Sequence, residues 1–316
     1  MNTRFGIDDL PGLCPGGSVV TIGVFDGFHL GHARVIGDTV TWARELGVAP
    51  AVITFREHPD AVLKGRAPRL IVSLQHRLLL LGRAGIAAAV VLDFDQRIQQ
   101  ISAEQFAGDV LARGLNARGL VLGHDAALGR GREGTPARFA ALGRDLGFTV
   151  RTVAALHIDR ATVSSTAIRS AIEGGDLDEA ARMLGRPVSV LGVVVGGSQR
   201  GRLLGFPTAN LDLMGEVRPP VGVYAVRGVL GSRTLAGVCN IGLRPTFAQG
   251  DRPEQRKELL EVHLLDFHGD LYGQELEVQF VARLRGERRF ENGAALAEQI
   301  GRDIAQARTL LGLPAS

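Results

Sequence analysis

Residues 18–32, SVVTIGVFDGFHLGH, decide what kind of fold this chain has. Ser18 to Val24 reads as a strand buried on both faces, because it is a nearly continuous apolar run rich in β-branched residues. It passes directly into the tight segment Phe25-Asp26-Gly27-Phe28, and a helical pattern then runs to about Leu46. In a strand, turn and helix of this kind the helix start presents unpaired N–H groups and the positive end of its dipole, which suits a phosphate. His29 and His32 stand three apart, one turn, and can face the same anion from that helix end. Two histidines in a first turn can equally be surface polar residues or satisfied core groups.

Outward from this stretch, strands and helices alternate. Ala51 to Phe55 is a strand, Ser73 to Arg83 a helix stopped near Gly85, and Ala87 to Phe94 a strand. Ser102-Ala103-Glu104-Gln105 forms a capping box that opens a helix to about Arg113. Leu120 to Gly123 is a strand, Pro136 to Leu146 a helix, and Phe148 to Leu156 a last strand. The alternation predicts a doubly wound, Rossmann-like α/β domain with its ligand at the carboxyl ends of the strands. Two short helical segments then lead to Gly185-Arg186-Pro187, where the pattern changes and the domain boundary is placed, giving domains 1–185 and 186–316. Beyond it, strands near Val188–Val195, Gly222–Leu230, Leu235–Ile241, Glu258–Leu265 and Leu276–Leu284 predict a small antiparallel β-barrel. Leu296, Ile300, Ile304, Ala307 and Leu311 mark an amphipathic closing helix over Ala294–Leu311.

The second half also holds Gly196–Asn210, GGSQRGRLLGFPTAN. Gly196, Gly197, Gly201 and Gly205 permit close backbone approach to an anion, with Arg200 and Arg202 available to neutralise it. Pro207 fixes its own φ and drives Phe206 out of the helical region, so 206–210 runs extended. Thr208 and Asn210, two apart, then offer a hydroxyl and an amide oxygen to one point, a donor set that suits Mg²⁺. Further on, Glu261 is an acid within the apolar strand Glu258–Leu265, hence either an edge charge or a buried working group.

Composition narrows the classes. The chain has 316 residues, 45% hydrophobic and 22% charged, enough for two cores in an ordinary soluble globular protein. The net charge is +3, but lysine occurs only at Lys64 and Lys257 and the arginines are scattered, which argues against a nucleic-acid partner. Cys14 and Cys239 are the only cysteines, which fits a reducing cytoplasm and neither a disulfide framework nor a zinc site. No apolar run approaches the roughly 20 residues needed to cross a bilayer, and the N-terminus carries acids where a signal peptide would be apolar.

Several spaced motifs, in order through nearly the whole chain, carry a resemblance. FDGFHLGH (25–32) resembles the HxGH signature of the nucleotidylyltransferase superfamily, in the form found in the adenylyltransferase half of bacterial bifunctional FAD synthetases. TFREHP (54–59) resembles that family's FxPHP segment, with Glu57 where proline is usual, and VSSTAIR (163–169) resembles its SSTxIR segment. Ser165 or Thr166 can there cap a helix, as in any plain N-cap, while Arg169 reaches a nucleotide phosphate. GGSQRGRLLGFPTAN resembles the riboflavin kinase motif that covers ATP and supplies Thr and Asn to Mg²⁺, and ELLEVHLLDF (258–267) resembles that family's LEVHLLDF strand. NIGLRPTF (240–247) and LRGERRF (284–290) also match. One segment departs: GHDAALG (123–129) keeps Asp125 but has Ala126 and Leu128 where the family places aromatics. Asp125 beside a glycine-rich turn is also a common loop element.

The resemblance implies a bifunctional enzyme that uses ATP to phosphorylate riboflavin to FMN and then adenylylates FMN to FAD. It implies Glu261 as general base, His29, His32 and Arg169 at the adenylyl-transfer site, and Thr208 and Asn210 on Mg²⁺. Nucleotide would be bound by Gly23, Phe25, Asp26, Gly27, Gly31, Ser165 and Thr166 in one half, and by Gly196, Gly197, Arg200, Gly201 and Arg202 in the other. His58, Asp125, Phe206, Pro207, Asn240 and Arg285 would line the substrate, and His263 would be structural. Ala126 and Leu128 motivate a narrower alternative, a riboflavin kinase whose adenylyltransferase half is weakened or lost.

Overall fold

A computed structural model of the chain describes residues 1–159, 161–196, 205–213, 215–243 and 258–314. It divides into two compact units, Met1–Leu70 with Leu74–Ser165, and Ile71–Ser73 with Thr166–Ser316.

The first unit is built on a six-stranded parallel sheet in the order β1-β4-β3-β2-β5-β6. The strands are β1 (Asn2–Phe5), β2 (Ser18–Ile22), β3 (Ala49–Phe55), β4 (Ala88–Leu92), β5 (Ala117–Gly123) and β6 (Thr149–Val153). Its helices are α1 (Leu30–Leu46), α2 (Asp60–Leu63), α3 (Leu74–Arg83), α4 (Gln96–Gln100), α5 (Ala103–Gln105) and α6 (Pro136–Leu146). β2 and β4 are buried along their whole length, as their apolar runs require when helices cover both faces. From β2 the chain winds outward through β3 and β4, and then returns to β2's other side with β5 and β6. The order therefore reverses between β2 and β5, which places a ligand crevice at the carboxyl ends of those two strands.

Two of the differences from the sequence reading bear on the sheet and the core of this unit. β1 was not expected, because a four-residue edge strand that is mostly exposed leaves no apolar pattern. The helix opened by the Ser102–Gln105 capping box, which forms as expected, continues past Gln105 as a π-helix over Phe106–Gly114. Its Leu115 N–H reaches Val110 O, five residues back, and Phe106, Val110, Leu111 and Leu115 all enter the core.

The second unit opens with α7 (Ser165–Gly174), whose first residue lies at the division, and α8 (Leu177–Leu184); the two-residue strands β7 (His157–Ile158) and β8 (Ala161–Thr162) precede them. There follows a closed antiparallel barrel in the order β10-β13-β12-β11-β14-β9. Its strands are β9 (Ser189–Val195), β10 (Ala209–Asp212), β11 (Gly222–Leu230), β12 (Arg233–Leu243), β13 (Glu258–Leu264) and β14 (Glu275–Arg285). Alternation sorts the side chains. Leu211, Tyr224, Cys239, Ile241, Leu260 and Val262 are buried at paired positions inside the barrel. Val223, Ala225 and Val238 point to its outer face, where α9 (Gly293–Leu311) covers them through Ile304, Ala307 and Leu311.

Candidate active sites

At the carboxyl end of β2 the backbone is forced into a compact turn. Phe25 (φ 51°), Gly27 (φ 78°) and Phe28 (φ 43°) all lie in the left-handed region, and two of these are bulky residues that rarely go there. Strain of this kind persists where the surroundings over-determine it, and it is common at functional sites. The Phe25 ring is buried over Gly23, where an added Cβ would stand 3.0 Å from the ring.

The turn delivers His29 as the N-cap of α1, its Nδ1 accepting the His32 N–H at 3.3 Å. The two imidazoles stack with centroids 3.6 Å apart and planes 16° from parallel, and Phe25 meets the His32 ring edge-on at 5.2 Å. An accepting Nδ1 leaves the proton of a neutral His29 on Nε2, which is thus a donor for a ligand. Gly31 makes room for this arrangement, since a Cβ there would sit 3.1 Å from the His29 ring. Burial pushes the His29 pKa down to about 4. His32, whose Nδ1 is enclosed without a partner among the described residues, is held well below its ordinary range by burial, by His29 and by Arg77. Both imidazoles are therefore neutral at neutral pH.

Asp26 is buried, and its carbonyl accepts from the Ser165 hydroxyl at 2.9 Å. Ser165 and Thr166 are the first two residues inside α7, so neither is the N-cap expected from sequence; the Ser165 hydroxyl is instead tied to the turn, and Arg169 lies one turn along the same helix. At the end of β3, His58 Nδ1 accepts the Asp60 N–H at 3.2 Å, where α2 begins. After β5, Asp125 is exposed beside His124, at 3.8 Å, while Ala126 and Leu128 pack against the main core. β2 and β5 are neighbours, so the segment that carries Asp125 leaves the strand next to the one that leads into the histidine turn.

In the barrel, strand register assembles the second site. Asn210 on β10 lies opposite Glu261 on β13, which lies opposite Asn240 on β12, which lies opposite Val223 on β11, which lies opposite Arg285 on β14. Directly opposed residues point to the same face with Cβ atoms roughly 4.5–5.5 Å apart, so these five form a row on the barrel's outer face. Glu261 is flanked on both sides by an amide. Thr208 immediately precedes β10, two residues from Asn210. His263, read from sequence as merely structural, holds that segment: its Nδ1 is 2.7 Å from the Pro207 carbonyl and its ring meets Phe206 edge-on at 5.9 Å. A carbonyl only accepts, so Nδ1 carries the proton.

Arg285 is bound through two nitrogens by Asp303 of α9, down to 2.8 Å, and Gln299 donates to the same carboxylate at 2.7 Å while accepting from Arg288. Neither Asp303 nor Gln299 was singled out from sequence, since polar residues in a closing helix look like its wet face. Gly196 lies just after β9, whereas Gly197, Arg200, Gly201 and Arg202 lie outside the described residues, as does Arg244–Phe247. Cys239 sits inside the barrel, where burial, reinforced by the Glu261 carboxylate, keeps its thiol protonated.

Known proteins resemble both halves. A family model described as FAD synthetase matches residues 13–167, and one described as riboflavin kinase matches 184–311. The bifunctional riboflavin kinase/FMN adenylyltransferase of Pseudomonas fluorescens is 39% identical over 294 residues, covering 93% of each chain. The protein of that name from Bacillus subtilis is 37% identical, covering 92% of this chain and 91% of the relative. Among solved structures, one named as a macrolide-efflux protein from Streptococcus pneumoniae superposes with a TM-score of 0.81 at 29% identity, over 98% of this chain and 99% of that one. That name differs from those of the sequence relatives; among the described residues here, no helix is long and apolar enough to cross a membrane. The FAD synthetase match runs straight through Ala126 and Leu128, which does not favour the kinase-only alternative.

Proposed function

The chain belongs to the family of bifunctional riboflavin kinase/FMN adenylyltransferases, and we propose that residues 186–316 phosphorylate riboflavin to FMN while residues 1–185 adenylylate FMN to FAD. The observation that carries this reading is that each half gathers its motif residues in one place: Glu261 between Asn210 and Asn240, and His29 stacked on His32 at a helix start.

In the kinase half, the Glu261 carboxylate takes the proton of the riboflavin 5′-hydroxyl. The hydroxyl oxygen bonds to the γ-phosphorus of ATP, the bond to the β–γ bridging oxygen breaks, and ADP leaves. The Thr208 hydroxyl and Asn210 amide oxygen are hard, uncharged donors that fit Mg²⁺, and they are the residues that would hold it. Bound there, the ion would supply positive charge to the ATP phosphates. Positioning and charge neutralisation account for most of the acceleration in transfers of this type.

In the other half, a phosphate oxygen of FMN bonds to the α-phosphorus of a second ATP and pyrophosphate departs with the α–β bridging oxygen. The nucleophile is already an anion, so no protein base is required. His29 through its Nε2–H, together with His32 and Arg169, would stabilise the charge that builds on the phosphates. The negative charge of a polyphosphate favours protonation of imidazoles that burial otherwise keeps neutral. The two buried free cysteines suit a reducing cytoplasm.

Incubation with riboflavin, ATP and MgCl₂, followed by chromatography of the flavins, tests the whole scheme. FAD is expected. FMN alone would leave only the kinase, and unchanged riboflavin would refute both activities. Glu261→Gln should abolish FMN formation and spare conversion of FMN to FAD, and His32→Ala should do the reverse. Loss of both steps in either folded variant would refute separate sites.

A further inference from the structure

Arg77 on α3 has none of its surface exposed. Arginine is almost never enclosed in this way unless it is paired, because removing its charge from water is costly and an apolar side chain would fill the same volume without that cost. One terminal N–H group of its guanidinium donates to the carbonyl oxygen of Val24, and the other reaches those of Phe55 at 2.7 Å and Arg56 at 3.4 Å. Val24 is the last residue before the Phe25–Phe28 turn, and Phe55 ends β3, the neighbouring strand. The Thr54 hydroxyl donates to the same Val24 oxygen at 3.2 Å. One side chain thus ties two adjacent strand ends together at the point where the histidine turn departs.

The charge itself also matters there. Carbonyl oxygens could be bonded by a neutral amide, yet this position holds a cation. Burial lowers its pKa, partly offset by the Asp26 carboxylate, but only to about 10, so it is charged at neutral pH. Its field is felt at His32, where it acts with His29.

We propose that Arg77 is a positioning residue for adenylyl transfer: it pins the outgoing ends of β2 and β3 and sets a fixed positive charge behind the turn that presents His29 and His32 to the polyphosphate of ATP. This rests on the adenylyltransferase reading of the N-terminal half. A charge already in place when the nucleotide arrives needs no reorganisation during the reaction, which is the condition under which it assists most. A fixed turn matters because a misplacement of about 1 Å can cost roughly 100-fold in rate.

The test uses the full chain with FMN, ATP and MgCl₂. Arg77→Met keeps the bulk and removes the charge; Arg77→Lys keeps the charge and loses the fork. Arg77→Met should lower kcat for FAD formation by about 10- to 100-fold, while riboflavin phosphorylation by the same chain stays within about twofold. Emission of Trp42, the single tryptophan and part of the first unit's core, reports whether that unit is folded. The titration of His32, followed by NMR, should move to higher pH in Arg77→Met, because His29 and burial remain but the repulsion from Arg77 is gone. Arg77→Lys should lose about three- to tenfold in kcat with His32 titrating as in the parent.

Unchanged kcat in Arg77→Met would overturn the proposal. So would equal losses in both variants with an unmoved His32 titration, since packing alone would then explain the site. Should Arg77→Met fail to fold, Arg77→Lys decides: reduced kcat with native Trp42 emission supports the pinning role, and parental kcat refutes it. A parent chain that makes no FAD from FMN would instead refute the adenylyltransferase reading, and the His32 titration would still judge Arg77.

Discussion

His29 performs several tasks from one position: it caps α1, stacks on His32 and stays uncharged. The last of these has a consequence for stability. Burial lowers the folded imidazole from 6.5 to about 4, so as pH falls the unfolded chain takes up its proton first. Stability from this group is unaffected above about pH 6.5, declines between 6.5 and 4, and below that window is reduced by about 3 kcal/mol, at about 1.4 kcal/mol per unit. His29→Asn keeps a capping side chain and does not titrate. Urea unfolding followed by Trp42 emission should therefore lose less stability between pH 7 and 4.5 in the variant than in the parent, and equal losses would sink the argument. Gly31 belongs to the same scale. A methyl group 3.1 Å from the His29 ring requires that ring to give by a few tenths of an ångström, so Gly31→Ala should reduce FAD formation by about two- to tenfold while FMN formation continues; parental rates of both would show that the ring's position is unimportant.

Among the elements, β5 and α1 meet where no side chain fits between them. A Cβ on Gly119 would stand 2.7 Å from the Trp42 ring, which is buried and closed over on its outer side by Arg151 at 4.1 Å. Gly119→Ala should destabilise the first unit by about 1–3 kcal/mol through overpacking. Urea unfolding monitored at Trp42 reads this directly, and an unchanged midpoint would mean the ring can move. Strand and helix existence were largely legible in the chain, because long apolar runs and a 3.6-residue period report burial directly. β1 was not legible, being short and mostly exposed, and neither was β10's place in the barrel, since a four-residue strand beside Pro207 shows only that it is extended. The barrel's outer row was legible in part. Glu261 stood out as an acid in an apolar strand, but its alignment with Asn210 and Asn240 follows from register between strands far apart in sequence.

At the scale of the whole molecule, the chain divides into two compact units, and each of the two reactions is assigned residues from its own motifs. If FMN leaves one site and enters the other through solution, a mixture of full-length Glu261→Gln and His32→Ala chains should make FAD from riboflavin although neither variant does so alone. A mixture that yields no FAD, with both variants folded and each retaining its other activity, would show that FMN passes only within a single chain.

Patterns local to a few residues, among them the strand–turn–histidine stretch, the capping box and the proline-stiffened Thr208–Asn210 segment, were determined by the sequence alone, because backbone sterics and side-chain periodicity act over neighbouring positions. Tertiary structure alone decided what sits behind and beside them: Arg77 under the turn, His263 on the Pro207 carbonyl, Asp303 on Arg285 and the amides flanking Glu261. Each of these is a contact across 18 to 56 residues of chain or between paired strands. The reason is physical: a buried arginine or carboxylate reads in sequence as an ordinary surface charge until packing removes the water around it.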